Sequence, residues 1–231
     1  MIKPAVRVAL VAVFAALQAT LGVIPYTLTL GISGQITLGL VGGSLIGLLL
    51  GPVTGGLAVL VGSLVGVFLN PGGAIFGFLT PLAPLLGAVS AGCVKRRRGY
   101  LGGIIIVAAL VVFAVHPYGR EAFAYAWLQV VAAVVAFLPL HRLIRAKSSE
   151  KDPTKSEFLI PVAAFVGVMA DHAVGSAVAM WYFSPAIPPE FWLAAMPIYP
   201  IERVVATVIV TAIAMPVYYA LAKAGFLNAI E

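Results

Sequence analysis

Apolar residues run along this chain in eight long stretches, at about residues 5–24, 36–51, 53–69, 74–94, 100–115, 122–144, 157–182 and 201–222. Short polar, proline-rich or glycine-rich turns separate them. A helical bilayer crossing needs roughly 17–25 mainly apolar residues. The pattern therefore predicts an all-α, polytopic membrane helix bundle. The second and third stretches are short and separated only by Gly51-Pro52. They read as two crossings, as a tilted hairpin, or as a re-entrant pair buried in protein. The expected count is thus six to eight transmembrane helices.

The turns add detail. Residues 25–35, 70–73, 116–121 and 184–200 are expected on one side, and 147–157 (KSSEKDPTKSE), polar and solvated, on the other. The 184–200 segment carries Pro185, Pro188, Pro189 and Pro197 with Phe191 and Trp192, which predicts an ordered, partly apolar lid. No soluble domain or internal repeat interrupts the pattern, so residues 1–231 read as a single transmembrane domain.

Charge orients the bundle. Twelve of the 14 Lys and Arg residues fall on one side of these stretches: Lys3, Arg7, Lys95 to Arg98, Arg142, Arg145, Lys147, Lys151, Lys155 and Lys223. Only Arg120 and Arg203 fall on the other. Such asymmetry marks cytoplasmic loops, and it predicts both termini in the cytoplasm of a multi-pass cell-membrane protein. Lys3 and Arg7 ahead of an apolar run also resemble a signal peptide. The length of that run and the spans that follow predict a retained first helix.

Composition agrees: 62% of residues are hydrophobic and 10% charged, with a mean hydropathy of +1.09. The net charge of +6 sits at helix ends rather than on a face interleaved with aromatics. That favours anionic lipid of the bilayer as a contact and argues against nucleic acid. The single cysteine, Cys93, precludes an internal disulfide and reads as a packing residue.

Two small-residue stripes stand out. Gly39, Gly43, Gly47 and Gly51 recur along the second stretch, and Gly62 and Gly66 continue the pattern in the third. Ala5, Ala9, Ala12, Ala16 and Ala19 line one face of the first. Small residues let helix backbones approach closely in lipid. Each stripe is either packing within the subunit or a groove for another protein's helices. The alanine face, on a terminal helix, favours docking more.

Ionisable residues within hydrocarbon cost roughly 2.5–3.5 kcal/mol on insertion scales and mark functional sites. Asp171-His172 stands in the middle of the seventh stretch. The pair suits ligand or ion contact, proton relay, or an interhelical hydrogen bond. Neighbouring side chains diverge by about 100° on a helix, so the two are not expected to bond one another. Trp181 and Tyr182 end the stretch as interfacial anchors. Trp181 falls about 80° from Asp171 on the wheel and offers a stacking wall. Glu202 suits a helix N-terminus, and Arg203 suits an anionic group. Gln18, Gln35 and Asn70 are uncharged polar residues near the outer half, while His116 and Arg120-Glu121 read as solvated loop.

Catalytic signatures are lacking, so the chain is expected not to be an enzyme or to carry a cofactor. It holds no G-x-x-x-x-G-K-[ST], H-E-x-x-H or G-x-S-x-G. His116, His141 and His172 are too dispersed for a three-histidine metal site.

From Arg7 to Arg98 the chain resembles the substrate-binding S components of energy-coupling factor (ECF) transporters. The similar pieces are RVALVAVFAALQA, GISGQITLG, LIGLLLGPVTGGLAVLVGSLVG, an NPGG turn leading to KRRRG, and a final helix PIERVVATVIVTAIAMPVYYALAKAG. The resemblance implies capture of a vitamin-like small molecule from outside. It further implies inward release on a transmembrane coupling subunit driven by an ATPase pair. It implies that the alanine face meets that coupling subunit and that the first outer loop, with Gln35, closes over substrate. Asp171, His172, Trp181, Tyr182, Asn70 and Arg203 complete the expected substrate contacts. S components have six helices, so eight would place a core at 5–98 and 157–223 around an inserted hairpin at 100–144. The rival readings are a self-contained proton-coupled transporter using Asp171 and His172, and a non-transport intramembrane enzyme or structural protein.

Overall fold

Proline and glycine set the helix boundaries. In the computed structural model, which describes residues 4–26, 36–140 and 158–223, Pro52, Pro117 and Pro189 each open a helix. Proline lacks the N–H that a first turn leaves unpaired anyway. The helices are α1 (Pro4–Val23), α2 (Gly39–Leu50), α3 (Pro52–Leu69), α4 (Leu82–Lys95) and α5 (Gly99–Val115), followed by α6 (Pro117–Glu121), α7 (Trp127–Phe137), α8 (Leu159–Tyr182), α9 (Pro189–Ala195) and α10 (Tyr199–Lys223). Two-residue strands, Pro25–Tyr26 and Ile36–Thr37, pair antiparallel between α1 and α2. The expected all-α bundle is what the chain forms.

Five helical segments are long and apolar enough to cross a bilayer, and three shorter apolar ones bring the total among the described residues to eight. This is a helical membrane protein. Its lipid-facing surfaces are plain on α3, where Val53, Leu57, Val61 and Val65 are exposed at four-residue spacing. The centre is α8, which packs against α2, α4, α5, α7 and α10 and buries Val166, Val168, Met169 and Ala170 completely.

Two stretches differ from expectation. The second yields only the 12 residues of α2, about 18 Å at 1.5 Å per residue and well short of a bilayer core, with all but Leu49 buried. It is a half-length rod inside the bundle, joined through Gly51 to a full-length, lipid-exposed α3. The sixth is broken: a 3-10 turn at Phe123–Ala126 precedes α7.

The glycine stripe is internal packing. A β-carbon on Gly43 would stand 3.1 Å from the Pro84 carbonyl oxygen, and one on Gly47 would collide with the Ala88 backbone. Gly92 of α4 similarly receives the Gly51-Pro52 turn. The alanine stripe behaves otherwise. Ala5, Ala9, Ala12 and Ala16 are exposed, whereas Ala15 and Ala19 are buried toward α3, where Gly62 abuts the Ala15 carbonyl. Over the 14 positions from Ala5 to Ala19 a 3.5-residue repeat drifts by about 40° on a straight helix, which turns Ala19 inward.

Contacts fix the direction of each helix. Gly51 at the end of α2 meets the Arg96 guanidinium, and Tyr218 of α10 lies under the Lys95 ammonium. The basic cluster at Lys95 to Arg98 therefore marks one end of the bundle. The start of α2 and the ends of α1 and α3 lie at the opposite end. Lys3, Arg142, Arg145, Lys147, Lys151 and Lys155 lie outside the described residues.

Candidate functional site

A cavity of about 390 Å³ opens in the end of the bundle away from the basic cluster. Pockets of this size hold small organic ligands. It is bordered by the ends of α1 and α3, the starts of α2, α4 and α10, the 3-10 turn before α7, the outer half of α8, and α9. The expected lid segment supplies one wall through Phe191, Trp192 and Ala195.

The depth at which α8 presents its polar pair depends on Gly87. A β-carbon there would lie 2.9 Å from both Asp171 Cβ and the Gly167 carbonyl oxygen. Its absence lets α4 and α8 touch. Asp171 Oδ2 then stands 3.8 Å from Arg203 Nη1, and Arg203 Nη2 stands 3.9 Å from Glu202 Oε2. Both separations exceed hydrogen-bond length, so the guanidinium neutralises the carboxylates without saturating them. Arg203 is only 6% exposed and its Nε has no hydrogen-bond partner among the described residues. An orphan buried donor of this kind calls for an explanation.

His172 points to different partners. Its Nε2 lies 2.9 Å from the Tyr125 hydroxyl, which is 3.2 Å from Ser176 Oγ. Its ring stacks on Tyr199 at 4.6 Å and 27°. Tyr125 in turn sits 4.7 Å from Tyr199 and 5.1 Å from Trp192, centroid to centroid. The Tyr199 hydroxyl has acceptors in the Tyr125 carbonyl (2.8 Å) and Gln129 Oε1 (3.0 Å), and it accepts from Leu128 N. These bonds lock the aromatic wall in place.

Across the cavity, Gln18 is 2% exposed; its Nε2 donates to the Gly39 carbonyl at 3.1 Å and to Ser63 Oγ at 3.2 Å. Among the described residues its Oε1 is buried without a donor, as Trp192 Nε1 is buried without an acceptor. Asn70 borders the cavity while its Oδ1 accepts from Gly73 N, capping a 3-10 turn.

Asp171, His172, Asn70 and Arg203 thus converge on one cavity. Trp181 and Tyr182 do not border it. The 80° between Asp171 and Trp181 is enough to turn the indole onto α5, where Nε1 donates to the Val112 carbonyl at 2.9 Å and the ring edge meets His116 at 5.0 Å. Tyr182 sits one layer back, 6.0 Å from Phe76. Gln35 lies outside the described residues. His116 is not a solvated loop residue: it is buried, and its Nδ1 accepts from Tyr118 N to cap α6. Arg120 and Glu121 are exposed. Tyr125, Ser176 and Tyr199 join the site without having stood out in the sequence, and Trp192 joins it from the expected lid segment. Aromatic residues near helix ends read equally well as interfacial anchors.

No protein-family model matches the chain. No solved structure matches it either. Among curated proteins it is similar to an uncharacterized protein of Methanocaldococcus jannaschii, with 31% identity over 180 residues. The aligned region is 78% of this chain, and the chain spans 60% of the length of that relative.

Proposed function

We propose that this chain is the substrate-capture subunit of an ECF-type importer in the cell membrane, binding a vitamin-like small molecule from outside and releasing it inward on a coupling subunit with two ATPases. The observation that carries the reading is the cavity: a space open at one end of the bundle, with ionisable side chains and an aromatic wall, opposite the basic end that the charge rule assigns to the cytoplasm. Helices that merely packed in lipid would have no use for ionisable side chains gathered at one space. The exposed alanine face of α1 supports the second half of the reading, as a smooth surface on which a coupling subunit's helices approach closely.

Reconstitution tests it. Vesicles carrying the chain with a coupling subunit and ATPases are expected to accumulate the molecule that co-purifies with the chain, in an ATP-dependent manner. Uptake by the chain alone, abolished by an uncoupler, would instead establish the proton-coupled transporter.

A further inference from the structure

Resting on the reading of the cavity as a ligand site, we infer that its ligand is a flat heteroaromatic molecule carrying positive charge. The charge count comes first. Asp171 and Glu202 face Arg203, the only Lys or Arg among the residues bordering the cavity. With all three ionised the wall carries one net negative charge. Uncompensated charge is costly where water is scarce, and a cationic ligand removes it. Neither carboxylate receives a hydrogen bond among the described residues, and the guanidinium stands off at 3.8 and 3.9 Å. Both therefore have lone pairs to offer a ligand N–H.

The shape argument is independent. His172, Tyr199, Tyr125 and Trp192 form, in that order, a chain of rings with successive centroids 4.6, 4.7 and 5.1 Å from one another. Such a wall favours a flat partner, and the negative faces of its rings favour a cationic one. Five buried side-chain polar atoms lack partners among the described residues: Gln18 Oε1, Ser44 Oγ, Ser90 Oγ, Trp192 Nε1 and Arg203 Nε. Three of them belong to residues of this cavity. All three atoms are covered by protein and do not open onto the cavity. Gln18 Oε1, for one, packs against Gly42 of α2. An anionic ring would satisfy Arg203 and be repelled by two carboxylates.

Native mass spectrometry of the purified protein, followed by thermal-shift titration with 1-methylnicotinamide, nicotinamide and nicotinate, separates the possibilities, since these probes share a ring and differ in charge. A retained molecule with a flat ring and a basic nitrogen is expected, and the cationic probe should stabilise more than the neutral or anionic ones. Asp171→Asn should weaken the cation by about tenfold, the scale of one charge-assisted contact, while Trp181→Phe, in a residue off the cavity, should leave it unchanged and report on folding. A retained anionic or aliphatic molecule, or preference for nicotinate, overturns the ligand class and leaves the cavity a ligand site. No retained molecule and no stabilisation by any probe overturns both.

Discussion

Gly87 of α4 and Asp171 of α8 lie so close that a single methyl group on the glycine would stand 2.9 Å from the aspartate β-carbon. The position of the buried carboxylate is thus set from a neighbouring helix by the absence of a side chain. Gly87→Val should part α4 from α8 at a cost of about 1–3 kcal/mol, typical of overpacking. It should also weaken ligand retention. Gly56→Ala, where an added carbon meets only the side-chain ends of Val89 and Leu85, is the comparison. Detergent melting curves showing equal effects would remove Gly87 from this role.

Neutralising the members of the buried charge group should be unequal. Arg203→Met leaves Asp171 and Glu202 both without a counter-charge, and loss of a buried partner costs about 3–5 kcal/mol. Asp171→Asn leaves Glu202 beside the guanidinium and should cost less. Denaturation of the two variants in matched detergent gives the order, and a reversed order would mean that Asp171 is Arg203's sole effective partner.

Tyr125 joins His172 to Ser176 through one hydroxyl. Tyr125→Phe keeps the ring stack and strips the hydroxyl, leaving two polar groups to find other partners. The expected loss is about 1–3 kcal/mol of stability, read by chemical denaturation. No measurable change would show that the ring, not the hydroxyl, holds this corner.

The outward alanines allow a test of docking apart from folding. Ala12→Trp or Ala16→Trp should abolish capture of a coupling subunit while the protein still folds and retains ligand, because both positions are exposed. Ala19→Trp, at a position 5% exposed against α3, should instead lower the melting temperature. Undiminished pull-down by the first two variants would return that face to lipid.

Trp181 and Trp192 should separate likewise. Trp192→Phe is expected to alter ligand retention. Trp181→Phe should cost only the bond to the Val112 carbonyl, about 0.5–1.5 kcal/mol. A ligand titration followed by intrinsic fluorescence distinguishes them.

Hydropathy made the helices legible because every stretch, buried or lipid-facing, is apolar. For the same reason it was silent on α2, whose residues read no differently from those of lipid-exposed α3. Asp171 and His172 were legible because ionisable groups are rare in such stretches. Tyr125 and Tyr199 were not, since their meeting depends on a 3-10 turn and a helix start far apart in sequence, and Trp192 was legible only as part of a lid. The helical wheel placed Trp181 within reach of Asp171 and misled, because it does not record which neighbour, α5 or the cavity, occupies a direction.

Arg96 has a consequence for how basic residues in this protein should be weighed. Gly51 adopts φ +82 at the end of α2, and the space its side chain would take is filled by the Arg96 guanidinium, with Nη2 2.6 Å from the position of a β-carbon. A cation there faces the carbonyls that a helix leaves unpaired at its C-terminus, an interaction worth about 0.3–1 kcal/mol. The other end of that helix, at Gly39, borders the cavity. Arg97 and Arg98 add charge to the basic end of the bundle, whereas Arg96 is also the footing of the rod that reaches the cavity.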